Sequence, residues 1–232
     1  MKISIMLPSY NEEKNLEFLI PELTGILDST GVSYEIIVVD ALLSSDNTED
    51  LCKKFGSNYI RQADYGYGDA FRKGIECAGG ELFLVVDSDA SQDIGKIPVM
   101  LKEIENGADV VIGSRYTKGG KTADPISSVI MSRLLNTAYR LILGFKEKDI
   151  STDFRMYKAD LLKGIKLTCS NFDIIEETLF LLKKTYPEII IKEIPICYKK
   201  RAEGVSKRRL ALFIADYIKL LVKLSALKKG EG

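Results

Sequence analysis

Four short apolar runs constrain this chain more than anything else in it: ISIMLP (3–8), EIIVVD (35–40), LFLVVD (82–87) and ADVVIG (108–113). Each is too short to be a helix of ordinary length. Each also lacks the strict polar alternation of a strand with one wet face, so the runs read as strands buried on both sides. The segments between them have helical spacing. In EEKNLEFLIPELTGILD the residues Leu16, Leu19, Ile20, Leu23, Ile26 and Leu27 fall on one stripe. DNTEDLCKKFG carries a start signal and a closing glycine, GYGDAFRKGIECAGG holds a third helix and IGKIPVMLKEIENG a fourth, while SNYIRQA is a weaker strand. Repeated strand–helix–strand units with apolar strands predict an α/β fold, a mostly parallel sheet covered by helices on both faces.

Three of these strands end on polar groups. LFLVVDSDASQD stops on Asp87 and Asp89, which strand alternation places on the same side. Two neighbouring carboxylates repel one another unless a cation sits between them. In an open parallel sheet the carboxyl ends of the strands are where ligands bind. The pair therefore suggests a divalent cation bridging to phosphate oxygens, with Gln92 and Asp93 as candidates for a third ligand. The competing explanation is a solvated loop in which Asp93 caps the next helix. The first strand ends in LPSYNEEKN, offering Pro8, Tyr10 and Glu12, and the second ends at Asp40.

The chain has no histidine, so any metal here must be held by oxygen, which favours Mg2+ or Mn2+ over zinc. Its 33 basic and 33 acidic residues balance, which gives no field directed at nucleic acid. Cys52, Cys77, Cys169 and Cys197 are far apart in sequence and apolar in context, as expected of buried free thiols in a reducing cytoplasm. The N-terminal apolar run breaks at Pro8, too early for a signal peptide. No window approaches the ~20 apolar residues that span a bilayer. The expected location is the cytoplasm.

After Arg115 the alternation stops. TKGGKTADP reads as a loop, SSVIMSRLLNTAYRLILG and NFDIIEETLFLLKK as helices, and EIIIKEIPICYK as one long strand. KRRLALFIADYIKLLVKLSALKK reads as a final amphipathic helix of about six turns, with Leu210, Phe213, Ile214, Tyr217, Leu221 and Leu224 on one stripe. That helix either packs on the sheet or a partner subunit, or lies on the cytoplasmic face of a membrane, alone or against a membrane protein. The 232 residues form one domain: a ligand-binding half (1–115), a second half (116–207) and the terminal helix (208–232).

In this order, LPSYNEEKNL, EIIVVD, GYGDAFRKGIECAGGELFLVVDSDA, GSRYTKGG, DISTDFRMYK and EIPICYKKRAEGVSK resemble the family-2 glycosyltransferases of the GT-A fold. The branch they look most like is the dolichyl-phosphate mannose synthases and related polyprenyl-phosphate glycosyltransferases. The likeness covers roughly residues 1–210. It implies a Rossmann-like GT-A sheet and metal-dependent, inverting transfer from a nucleotide sugar such as GDP-mannose or a UDP-hexose. The implied acceptor is a polyprenyl (dolichyl) phosphate, or failing that a hydroxyl of a glycan or glycolipid. Pro8, Tyr10, Glu12 and Asp40 would hold base and ribose. Asp87 and Asp89, with Gln92 or Asp93, would hold Mg2+ or Mn2+ on the donor diphosphate. Arg201, with Ser206 and Lys207, would clamp that diphosphate. Arg115, Ser132, Asp153, Arg155 and Glu176 would face the acceptor, with Asp89, Arg115 and Arg201 closest to the chemistry. A hydroxyl acceptor would need Asp153, Glu176 or Glu177 as base, whereas a phosphate would need none. The chain departs from the family where Ala41 replaces a second acid after Asp40, and where Ser128 stands one turn before Ser132 in place of a basic residue. The first departure motivates a rival from another class, a non-catalytic nucleotide-sugar-binding protein.

Overall fold

A computed structural model describes the backbone of residues 1–200 and 210–229, and the side chains of 1–200 and 217–229. Its first half alternates as the apolar runs require: β1 (Lys2–Ser9), α1 (Glu13–Thr30), β2 (Ser33–Asp40), α2 (Thr48–Phe55), β3 (Asn58–Arg61), α3 (Tyr67–Cys77) and β4 (Leu82–Val85). A 3-10 turn at Ile94–Lys96 leads into α4 (Ile97–Glu105), followed by β5 (Val110–Ser114), β6 (Lys121–Thr122) and α5 (Ile126–Leu143). The remainder comprises β7 (Arg155–Lys158), α6 (Ala159–Lys163), α7 (Ile174–Thr185), β8 (Ile191–Pro195), β9 (Cys197–Tyr198) and α8 (Leu210–Lys229).

Seven strands form one sheet in the order β3-β2-β1-β4-β7-β5-β8. Only β7 runs against the rest, pairing antiparallel with both β4 and β5. In the centre, Met6 lies opposite Ile37 on one side and Val85 on the other. Alternation then divides the core in two. Ile3, Ile5, Leu7, Val38 and Leu84 face Leu16, Leu19, Leu23 and Leu27 of α1 together with Met100 and Leu101 of α4. Met6, Val39, Phe83 and Val85 face Phe71 of α3, Tyr139 of α5, Leu179 of α7 and Leu224 of α8. Each fully buried aliphatic or aromatic side chain of this kind contributes roughly 1.5–3 kcal/mol.

The structure differs from the sequence expectations at several points: β6 falls in TKGGKTADP, expected as a loop, and α6 was not foreseen. β7 had no strand signal, because its run RMYK is short and begins with a charge. EIIIKEIPICYK is not one strand. It breaks after Pro195, and β9 pairs with β6 in a separate two-stranded sheet. Cys77 and Cys197 are exposed, and only Cys52 and Cys169 are buried.

Candidate active site

The carboxyl ends of β1, β2 and β4 open onto a cavity of about 370 Å3. Pro8, Ser9, Tyr10 and Glu12 line it from the end of β1, Ala41 to Leu43 from the end of β2, and Asp87, Ser88 and Asp89 from the end of β4. The opposite wall is Gln62, Tyr65, Gly66, Tyr67, Ala70 and Phe172. Two non-glycine residues beside the cavity, Asn11 (φ 54°) and Ala90 (φ 58°), adopt the left-handed conformation. Such backbone costs about 1–3 kcal/mol and gathers at functional sites. Here it bends the chain sharply just after β1 and just after the Asp87–Asp89 pair.

That pair sits in a fixed turn. Asp89 Oδ1 accepts from the Ser91 amide at 2.9 Å. The Gln92 side chain accepts from the Asp87 amide at 3.0 Å and donates to Asp153 Oδ1 at 2.8 Å. The Tyr67 hydroxyl donates to Asp153 Oδ2 at 3.1 Å. Burial, with the Asp153 and Asp87 charges, holds the Tyr67 hydroxyl well above its ordinary pKa, so it stays a proton donor. Gln92, expected as a third metal ligand, thus braces the turn with both ends of its amide engaged. Asp93 likewise accepts from the Cys197 amide, at 3.1 Å. Among the described residues no third acidic or cysteine side chain joins Asp87 and Asp89 in a ligand cluster. Two carboxylates at a cavity suit a hard cation that takes its other ligands from phosphate and water. The cavity is also prepared for a polar ligand: the Ser9 and Ser88 hydroxyls are buried there with no partner among the described residues. A buried polar atom left unsatisfied costs about 1–3 kcal/mol, which a ligand hydrogen bond would recover.

The far wall depends on two glycines. A Cβ on Gly66 (φ 93°) would lie 2.2 Å from the Ser170 carbonyl oxygen, and one on Gly68 would lie 2.2 Å from that of Cys169. Their absence lets the Gly68 amide reach Ser170 O at 2.8 Å. It also brings Phe172 onto the Tyr67 ring, with centroids 4.5 Å apart. Asp40 is a correction. It is buried outside the cavity lining, accepting from the Tyr59 hydroxyl at 3.1 Å with Arg61 at 3.8 Å. Burial raises its pKa. Ala41, Leu42 and Leu43 take the rim in its place.

The second cluster lies where β5 meets α5. Arg115 points inward: Nε and one terminal nitrogen bind the buried Asp149 carboxylate at 2.9 and 2.8 Å, and its amide binds the same group at 2.9 Å. Ser151 (3.1 Å), Ser132 (3.4 Å) and Asp124 (3.5 Å) complete its surroundings. Burial alone would lower the guanidinium pKa, but Asp149 outweighs it and the pKa is raised. Ser132 and Ser151 share a hydrogen bond of 2.9 Å, and the Ile150 amide donates to Asn136. Arg115 and Ser132 are thus brought together, but the cation expected to receive an anionic acceptor is already neutralised. Arg133, by contrast, is exposed, and its guanidinium lies 5.2 Å from the Tyr116 ring centroid, with Arg115 5.0 Å from the same ring.

Arg155 and Glu176, expected to face the acceptor, are both buried, and neither lines the cavity. Arg155 is wholly buried and donates to the Ile175 and Ile150 carbonyls. Glu176 is buried on the first turn of α7, and burial holds its pKa well above the carboxylate range. Asp153 lies beside the Asp87–Asp89 turn, away from the Arg115 cluster, with both oxygens hydrogen-bonded. Arg201, Ser206 and Lys207 lie outside the described residues.

Sequence reasoning missed Asp149, Ser151, Tyr67, Phe172 and Arg133. DISTDFRMYK contains the first two, and its density of small polar residues without loop glycines was a signal. No pattern links Tyr67 to Phe172 across a hundred residues.

The Glycosyl transferase family 2 model matches residues 4–166. The Dolichol-phosphate mannosyltransferase of Pyrococcus furiosus is 32% identical over 241 aligned positions, covering all of this chain, which spans 65% of that protein's length. The Dolichyl-phosphate hexose transferase of Haloferax volcanii is 28% identical over 203 positions, covering 86% of this chain and 84% of its own. Among solved structures, glucosyl-3-phosphoglycerate synthase of Mycobacterium tuberculosis, in complex with Mn2+, UDP and phosphoglyceric acid, superposes with a TM-score of 0.71. It is 20% identical, with 97% of this chain and 78% of that one covered.

Proposed function

The chain belongs to glycosyl transferase family 2 and is a glycosyltransferase, and on that premise we propose that it moves a hexose from a nucleotide-sugar donor to a polyprenyl phosphate. One observation carries the donor half: a cavity at the carboxyl ends of the parallel strands holds two carboxylates in a braced turn and two buried hydroxyls with no partner among the described residues. Asp87 and Asp89 would hold Mg2+ or Mn2+, which when bound supplies a Lewis acid for the leaving diphosphate. Tyr10 and Tyr65, exposed at the rim, offer ring faces to a base. Gln92 and Asp153 keep the two carboxylates aligned. Arg201 and Lys207 are proposed as diphosphate clamps from the sequence alone.

The acceptor half is supported by what the acidic residues are doing. A hydroxyl acceptor needs a base close to the reacting atoms. Glu176 is buried away from the cavity. Glu177 accepts from the Thr168 hydroxyl, the Thr168 and Cys169 amides, and the Lys223 ammonium. Asp153 is held at both oxygens. A phosphate nucleophile, anionic at neutral pH, needs none of them. Arg133 on the Tyr116 ring is the cation we assign to it, and Arg115 acts by holding the loop around Asp149. The names of the Pyrococcus and Haloferax relatives support the same acceptor class.

The test is a donor panel (GDP-mannose, UDP-glucose, UDP-N-acetylglucosamine) with Mn2+ and a short polyprenyl phosphate. A lipid-linked hexose from one donor is expected. Transfer to sugar hydroxyls alone would overturn the acceptor assignment, and donor binding without any transfer would favour a binding protein.

A further inference from the structure

Helix α5 is apolar on two opposite faces, and only one of them is covered. Asn136, Tyr139 and Leu143 are buried, and Ser132 turns toward Arg115. On the other side Ile126 (79% exposed), Ile130, Leu134 (61%) and Leu141 (80%) stand in solvent. At 3.6 residues per turn these four fall within an arc of roughly 80°. Ile142 is exposed beside them. Helix α8 adds exposed Ile218, Val222 and Leu227. The two helices are tied together by Tyr139, which donates to Tyr217 O at 3.1 Å, and by Lys228, which donates to Ile142 O at 3.1 Å. Eight of the fifteen exposed large apolar residues among those described lie on these two helices, so the surface is concentrated and is not the ordinary scatter.

Charge indicates what covers it. Residues 126–143 contain Arg133 and Arg140 and no carboxylate, and residues 210–229 contain four lysines and one carboxylate, Asp216. Both arginines are exposed, and at 3.6 residues per turn both fall along one edge of the apolar stripe. Protein interfaces are enriched in aromatic residues, yet this face is aliphatic, built from isoleucine, leucine and valine. No described helix is long and apolar enough to cross a bilayer. We infer that the outer face of α5, extended by α8, docks in the plane of an anionic lipid surface, with the apolar stripe below the headgroups and the arginines among them. The terminal helix, for which packing and membrane contact were both expected, packs on the core through Tyr217, Leu220 and Leu224, and its exposed side joins α5, which the sequence had not singled out. The inference rests on this surface alone and holds whichever acceptor is used. With a lipid acceptor, it would place the Ser132–Arg115 side of the same helix next to the bilayer.

The test uses the full chain, with no donor or acceptor present. Cosedimentation is measured with phosphatidylcholine vesicles and with vesicles containing about 30% phosphatidylglycerol, the anionic surface that attracts basic segments. Binding to the anionic vesicles, weakened by salt, is expected. A triple variant, Ile130→Ser, Leu134→Ser and Leu141→Ser, should reduce partitioning at least about tenfold, because each replacement removes apolar area from the acyl boundary. Its thermal unfolding and its Mn2+-dependent nucleotide binding should match the parent, which separates failure of docking from failure of the donor site. The inference is overturned if the triple variant pellets like the parent, or if the parent pellets with neither vesicle. It is equally overturned if the parent is a dimer in solution that the triple variant converts to monomer, which would make the face a contact between copies of the chain.

Discussion

The proposed donor rim and the proposed acceptor end use charge in opposite ways. At the rim, Asp87 and Asp89 line an open cavity, and their neighbours Gln92, Ser91 and Asp153 brace the turn that presents them. At the acceptor end, the conspicuous arginines are turned inward, Arg115 onto Asp149 and Arg155 onto backbone carbonyls. A charged residue in a motif is therefore of two kinds here. One kind is held ready for a ligand, and the other is consumed in holding a loop. The difference shows in partners and burial, which a sequence does not display.

The sharpest way to break this contrast is Arg115→Ala. If Arg115 is structural, its loss leaves Asp149 buried and uncompensated, and chemical denaturation should report a loss of about 3–5 kcal/mol. Pairing it with Asp149→Asn should restore part of that. A variant with full stability and no turnover would return Arg115 to the ligand-facing kind. Asp89→Asn should behave the other way. We expect kcat/KM to fall about 100-fold or more, as when a charge-stabilising group is lost from an active site, with metal-dependent donor affinity lost and the melting temperature nearly unchanged. Unfolding in place of lost affinity would erase the distinction between the two regions.

Gly68→Ala probes the wall between them. Its Cβ would meet the Cys169 carbonyl and the Ser170 backbone, and overpacking of this sort costs about 1–3 kcal/mol. A raised KM for the donor should accompany it as Phe172 shifts off Tyr67. An unaltered KM would show that the wall does not shape the cavity.

The smallest effects come from two adjacent glutamates with opposite shifts. Glu177 is also buried, which would raise its pKa, but the Thr168 and Cys169 donors and Lys223 bring it below the ordinary value. Its contribution to stability is present above the unfolded carboxyl pKa and is lost as pH falls through the folded value. Glu176 is raised by burial, so the fold is stable with it protonated and loses that stability as pH rises above the unfolded value. Glu177→Gln should therefore lower the melting temperature by a few degrees at pH 7 and converge with the parent in acid. Glu176→Gln should raise it at pH 7 and likewise converge in acid. Melting curves between pH 3 and pH 8 distinguish the two, and parallel behaviour would contradict both assignments.

The legibility of the sequence follows the same division. The front half could be read because buried parallel strands leave unbroken apolar runs, and because strand ends in such a sheet are where ligands gather. Asp87 and Asp89 needed nothing further to be singled out. Asp40 looked equivalent, yet it is buried beside Tyr59 and Arg61 and does not line the cavity, a tertiary effect invisible along the chain. β7 was hidden by Arg155, whose buried charge is compensated by the carbonyls of Ile150, just before the strand, and of Ile175 on α7. The exposed stripe of α5 is more apolar than its covered face of Ser132, Asn136, Tyr139 and Leu143, the reverse of what a sequence reading assumes, and only packing reveals it.

The most direct measurement is manganese anomalous diffraction from crystals grown with Mn2+ and a nucleoside diphosphate. We expect one peak in contact with the Asp87 and Asp89 carboxylates and the diphosphate oxygens, beside the Ser9 and Ser88 hydroxyls. A nucleotide bound elsewhere, or bound in this cavity with no metal at the two carboxylates, would contradict the assignment of that rim.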